Sequence, residues 1–169
     1  AASVVFSGLK SLEYRGYDSC GMALVKEDDS IEVFRSIGPP SSIEDNKFFD
    51  SSCGMGHTRW ATHGGVTVSN AHPHYSFEKN VYLVHNGVIE NCDKIKSTLK
   101  EDGYEFYGET DSEVLVNLIS YYYNRFNNAP LEALQQALRN VEGTYGLVVM
   151  FKSDKGKVIY GARKASPLV

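Results

Sequence analysis

The sequence predicts an α+β fold in which sheets are covered by helices. Three observations carry that prediction. A strand hairpin stands near the start of the chain and another at its end, the stretch between them holds runs of helical periodicity, and 169 residues suffice for one domain with a hydrophobic core.

Taken in order, Val5, Leu9 and Leu12 follow helical spacing, so the chain opens on a helix ending near Arg15 and Gly16. GMALV (residues 21–25), the polar turn EDDS and IEVFRSI (residues 31–37) then form a hairpin. GPPSSIEDNKFFD (residues 38–50) has two prolines, serines and acids, and is expected to be an exposed loop. CGMGH (residues 53–57) and VYLVH (residues 81–85) are further strands, the second stopping at Asn86-Gly87, a strong turn signal. Ile95 and Leu99 mark a short helix after Asn91. A better-marked helix follows Gly108: Thr110 and Glu113 have capping-box spacing, and Val114, Leu115, Leu118, Ile119 and Tyr122 form an apolar stripe. The next helix begins after Pro130 with Leu131, Leu134, Leu138 and Val141 inward. TYGLVVMF and KVIYGARK, joined by SDKG, close the chain as a hairpin.

Composition narrows the functions available. A net charge of -4 supplies no basic field for nucleic acid. No apolar run approaches the ~20 residues that span a bilayer, and no leader pattern opens the sequence. Cys20, Cys53 and Cys92 are odd in number and lack CxxC spacing, as reduced thiols of a cytoplasmic protein would be.

The stretch GHTRWATHGG (residues 56–65) sets an arginine, the single tryptophan, two threonines and two histidines between glycines. Such a loop suits a planar anion held close to the main chain. Arg59 offers a donor fork for a carboxylate or phosphate, or else joins a surface ion pair. Trp60 is a core residue or a site residue. His72-Pro73-His74 puts two imidazoles on one face of an extended segment, but no cysteine or acid stands at a zinc spacing, so no metal is expected. Asn86-Gly87 is a hairpin turn, or an oxyanion hole built from an amide side chain and a glycine N–H. Asp111 complements a helix dipole, or pairs with a ligand's ammonium group.

Five stretches in one order, LEYRGYDSCGMALV, GHTRWATHGG, NAHPH, VHNGVIEN and GETDSEV, together with the ending ARKASPLV, resemble the glutaminase domains of the glutamine–fructose-6-phosphate aminotransferase (glucosamine-6-phosphate synthase) family. The likeness covers essentially all of residues 1–169. It implies a class II glutamine amidotransferase of the N-terminal-nucleophile hydrolase type, a four-layer αββα sandwich of two antiparallel sheets, hydrolysing glutamine to glutamate and ammonia. The resemblance places the glutamine α-carboxylate on Arg59 and the α-ammonium on Asp111, and lines the pocket with Thr62 and His63. It makes Asn86 and Gly87 the oxyanion hole. Trp60 gates ammonia, and Arg15 and Gly16 support the nucleophile.

The same resemblance implies partners beyond these residues: a sugar isomerase domain that uses the ammonia to aminate fructose 6-phosphate to glucosamine 6-phosphate, in a homo-oligomeric cytoplasmic enzyme with no cofactor. Amidophosphoribosyltransferase shares the Asn-Gly element and is the rival inside the fold; a glutamine-sensing module is the rival outside catalysis. In the family the nucleophile is an amino-terminal cysteine whose own amine acts as base. This sequence starts at Ala1 with AASVVFSG, which resembles the helix after that first strand, and none of Cys20, Cys53 or Cys92 replaces the nucleophile by pattern. The expectation is a single domain, 1–169, lacking the Cys-bearing strand, inactive as it stands, with an unpaired sheet edge.

Overall fold

The structure, a computed structural model, describes residues 1–43, 48–61, 64–153 and 156–167, and of Arg15 the backbone alone. It contains two compact units, Ala1–Pro73 and His74–Val169.

In the first unit, α1 (Ala2–Ser11) leads through a 3-10 turn at Glu13–Arg15 into β1 (Ser19–Val25), β2 (Ile31–Ile37) and β3 (Gly54–Arg59). The sheet is antiparallel throughout, in the order β2-β1-β3. Central β1 is buried along its whole length, as a near-continuous apolar run between two partners should be. Helix α1 packs against β3, and Gly56 allows the approach: a Cβ there would stand 2.7 Å from Val5 Cγ1 and 3.1 Å from Leu9 Cδ1. Phe6, Leu9, Met22 and Leu24 form the core beneath the helix. The α-helix ends four residues earlier than Arg15, because the chain tightens into the 3-10 turn there.

The loop expected to be exposed is not uniformly so. Ile43 is buried, and Phe48 meets Phe6 at 5.0 Å and Phe34 at 5.6 Å between ring centroids, both edge-on. Apolar residues inside a Pro/Ser-rich segment fill the space beside α1 and β2, which composition alone does not reveal.

The second unit runs β4 (His74–Tyr75), β5 (Val81–Ile89), α2 (Cys92–Glu101), α3 (Asp111–Arg125), α4 (Pro130–Arg139), β6 (Gly143–Ser153) and β7 (Gly156–Lys164). Its antiparallel sheet has the order β4-β5-β6-β7. Helix α3 lies on β5 and is flanked by α2 and α4. Val114, Leu115, Leu118 and Ile119 are buried as the stripe requires, each contributing roughly 1.5–3 kcal/mol on full burial. The Thr110 hydroxyl accepts from the Glu113 N–H at 3.2 Å. Glu113 departs from a capping box: its carboxylate takes the N–H groups of Tyr107 and Gly108, both at 2.8 Å, and so ties the preceding loop to the helix. In α4, Leu134 is buried, but Leu131 faces solvent rather than the core: it stands one residue inside the helix start, off the face that Ala133, Leu134 and Ala137 bury.

The largest correction concerns β5. It does not stop at Asn86-Gly87 but passes through both to Ile89, paired with β6 along the way. Gly87 adopts φ +141°, and a Cβ there would lie 2.1 Å from the Thr144 carbonyl oxygen. The Asn-Gly pair therefore marks a close crossing of two strands, not a hairpin turn.

Candidate functional site

Within the first unit, β3 delivers Arg59 to the start of the glycine-rich loop. Arg59 is only 5% exposed, which excludes the surface ion pair. Its Nη1 lies 3.8 Å from Asp18 Oδ1 and donates to the Gly65 carbonyl at 3.3 Å. Asp18 is a second anchor that the sequence reading missed. Its N–H donates to the Arg59 carbonyl at 2.8 Å, and its carboxylate accepts from the Ala61 N–H and, at 2.8 Å, from the Ser19 hydroxyl. Asn70, also missed, is buried and donates to the same Gly65 carbonyl at 3.0 Å. Both ends of the loop are thus tied by polar bonds to its own backbone. Thr62 and His63 lie outside the described residues, as does the Arg15 side chain.

Trp60 is 68% exposed, so it is not a core residue. Its ring covers Gly16 (φ +88°), where a Cβ would stand 2.6 Å from Cζ3 and 2.7 Å from Cε3. The structure thereby brings Trp60 and Gly16, two of the residues singled out in the sequence, into contact. His72 pairs with His57, ring centroids 4.4 Å apart, whereas in the second unit His74 meets the Thr110 hydroxyl through Nε2 at 3.0 Å. Among the described residues no three His, Cys, Asp or Glu side chains gather as a metal site.

In the second unit, Asn86 and Gly87 are the sixth and seventh of the nine residues of β5. Asn86 is exposed, and its side-chain amide makes no hydrogen bond among the described residues, leaving its donors available. Asp111 opens α3, and its Oδ2 accepts from the Ile89 N–H at 2.8 Å, which fixes the helix start to the strand just beyond Gly87. A second link, not anticipated, lies deeper: the buried His85 approaches the Ser112 hydroxyl through Nδ1 at 2.9 Å, and that hydroxyl stands 3.4 Å from Asp111 Oδ1. Burial pushes the His85 imidazolium toward its neutral form, against the opposing pull of Asp111 and of the Thr144 backbone. Asp111 and Ser112 are therefore bonded to the residues of β5 that flank Asn86 and Gly87 on either side, Ile89 and His85. A carboxylate and an exposed side-chain amide, groups that amide chemistry on an ammonium-bearing substrate can use, are thus carried by two elements bonded to each other.

No disulfide joins Cys20, Cys53 or Cys92. Cys20 is fully buried in β1, and its thiol is pushed up to about 11, first by that burial and then by the Glu13 carboxylate. Burial, followed by Asp93, also raises the thiol of Cys92. Neither is an activated nucleophile.

Residues 29–159 match the family described as the glutamine amidotransferase domain. Among curated proteins, the chain is 43% identical to the glutamine–fructose-6-phosphate aminotransferase (isomerizing) of Chlorobaculum tepidum, over all of this chain and 28% of that protein. The values are 43%, 100% and 28% for the same enzyme of Bacteroides thetaiotaomicron, and 38%, 100% and 29% for that of Methanococcus maripaludis. The chain thus spans less than a third of the length of these relatives. Among solved structures, the glutamine phosphoribosylpyrophosphate amidotransferase of B. subtilis complexed with ADP and GMP aligns with a TM-score of 0.78 at 22% identity, covering 97% of this chain and 35% of that one. An allosteric regulatory enzyme of purine biosynthesis aligns at 0.77 and 24%, covering 90% and 33%. These two likenesses establish the fold, α+β with two antiparallel sheets, in agreement with the expected class. With the match spanning most of its length, the chain belongs to the glutamine amidotransferase domain family.

Proposed function

We propose that residues 1–169 act as one glutaminase domain, releasing ammonia from the side-chain amide of glutamine within a larger enzyme that aminates fructose 6-phosphate to glucosamine 6-phosphate. The observation that carries this reading is the junction at β5, where Asn86 and Gly87 stand beside an Asp111 carboxylate anchored to the same strand. The sugar substrate is favoured over a phosphoribosyl one by relatives about 40% identical across the whole chain whose names specify fructose 6-phosphate.

In this reading a cysteine thiolate, carried by a strand preceding Ala1, attacks the amide carbon. Negative charge then gathers on the former carbonyl oxygen. The Asn86 amide and the Gly87 N–H donate to it, each such donor lowering the barrier by about 3–4 kcal/mol. Nitrogen leaves as ammonia after taking a proton, and water cleaves the thioester to give glutamate. Arg59 takes the α-carboxylate and Asp111 the α-ammonium, so binding remote from the amide holds the reacting bond in place. Thr62 and His63 line the pocket, Trp60 governs passage of ammonia to a sugar isomerase domain, and Arg15 and Gly16 support the nucleophile. A homo-oligomeric cytoplasmic enzyme completes the proposal; among the described residues no helix is long and apolar enough to cross a membrane.

Ammonia release from glutamine by two polypeptides tests the assignment: residues 1–169 alone, and the same residues behind a Cys-led strand. Turnover by the second only is expected, since neither Cys20 nor Cys92 is activated. Comparable turnover by both would place the nucleophile within residues 1–169. Glutamine binding without ammonia release by the extended polypeptide would favour a sensing module.

A further inference from the structure

Asp111 can hold an ammonium group well only if its carboxylate is fixed, and the junction contains more than the Ile89 N–H to fix it. Oδ2 is occupied by that N–H at 2.8 Å. Oδ1 faces the Ser112 hydroxyl at 3.4 Å, and the hydroxyl is itself held at 2.9 Å by His85 Nδ1. His85 and Ser112 are both buried, as is Thr110, the residue capping the helix. The imidazole belongs to β5 and immediately precedes Asn86, so one side chain links the strand carrying the proposed oxyanion donors to the helix carrying the proposed ammonium acceptor. The Thr144 backbone, whose carbonyl oxygen lies against Gly87, also acts on the imidazole, favouring its protonated form.

We propose that His85 and Ser112 are positioning residues for glutamine recognition: through the Ser112 hydroxyl, His85 sets the Asp111 carboxylate in register with Asn86 and Gly87. The inference rests on the glutaminase reading, and adds to it a residue pair to which neither the family match nor the named relatives assign a role. A neutral imidazole suits the task, since a cation would draw the Asp111 carboxylate away from the substrate's own ammonium. A structural role alone would predict something different: loss of stability, with every substrate affected alike.

The test uses the natural full-length protein and two substrates, glutamine and 4-carbamoylbutanoate, which is glutamine with hydrogen in place of the α-amino group. Ser112→Ala is expected to raise KM for glutamine about tenfold, the size of one lost hydrogen bond to a charged group, with a smaller change in kcat. Its kcat/KM for 4-carbamoylbutanoate should equal that of the wild type, because that substrate makes no demand on Asp111. His85→Leu should repeat the pattern, and His85→Asn, which keeps an amide near the place of Nδ1, should restore much of the glutamine KM. Combining Ser112→Ala with Asp111→Asn should add little beyond Asp111→Asn alone, since the pair acts on one carboxylate. If His85→Leu does not fold, Ser112→Ala decides alone. Equal losses on both substrates, or an unchanged glutamine KM in Ser112→Ala, overturn the inference while leaving the glutaminase reading intact. A wild-type protein that releases no ammonia from glutamine overturns both.

Discussion

A methyl group at residue 87 measures how closely β5 and β6 meet. In Gly87→Ala the new Cβ would stand 2.1 Å from the Thr144 carbonyl oxygen, 2.8 Å from the Thr144 carbonyl carbon and 2.9 Å from Tyr145 Cα. All three are backbone atoms of a paired strand, so no side chain can turn aside. The residue also carries φ +141°, a conformation costing a side-chain-bearing residue about 1–3 kcal/mol. Forcing the strands apart adds about 1–3 kcal/mol, as overpacking does elsewhere. The sum is a destabilisation of ~2–6 kcal/mol. Gly103→Ala is the control: Gly103 has φ +87° at the end of α2, but nothing lies within 4 Å of its added Cβ. It should lose only the ~1–2 kcal/mol of backbone strain. Urea unfolding of wild type and both variants, with m-values compared, separates the two contributions. A Gly87→Ala protein no less stable than Gly103→Ala would show that the strands do not meet as closely as described. In the active full-length protein, Gly87→Ala should also cut ammonia release by about 100- to 1000-fold, because the displaced N–H no longer meets the oxyanion.

Four further outcomes are expected. Asn86→Ala should lower kcat for glutamine by about 100- to 1000-fold with little change in KM, read by ammonia release, since the side chain is exposed and bonded to nothing else described. Arg59→Ala should raise KM for glutamine and cost about 1–3 kcal/mol in urea unfolding; the Asp18 carboxylate loses its cation but keeps the Ala61 and Ser19 donors, which limits the damage. Iodoacetamide should label Cys20 only after unfolding, since its thiol is fully buried and pushed up to about 11, and mass mapping of the folded protein reads this directly. Stability should fall as the pH drops below the ordinary histidine value: the unfolded His85 takes a proton near pH 6.5, and the native one, its pKa lowered first by burial, takes it only at lower pH. Between those values the unfolded state holds more protons, giving a slope of at most about 1.4 kcal/mol per pH unit that His85→Asn should remove.

The helices and most strands were legible in the sequence because their signals are local. Apolar residues at helical spacing in α3, Pro130 at the start of α4 and the period of the two hairpins each report on their own segment. Arg59, Asn86, Gly87 and Asp111 were legible as a group only through the order of five motifs, since each residue by itself fits a bland structural role. What the sequence could not decide depends on partners far along the chain. Asn-Gly supplies positive φ equally to a turn and to a strand crossing, and only the pairing of β5 with β6 selects the second. Ile43 and Phe48 look exposed in their Pro/Ser-rich loop, until Phe6 of α1 and Phe34 of β2 are beside them. Asp18 and Asn70, which secure the Arg59 loop, carry no signal of their own. The same is true of His85 and Ser112, whose hydrogen bond joins positions 27 residues apart. Secondary structure follows from interactions along a few turns of chain, whereas a polar group's role follows from which other polar group is buried against it, and that is set only when strand and helix pack.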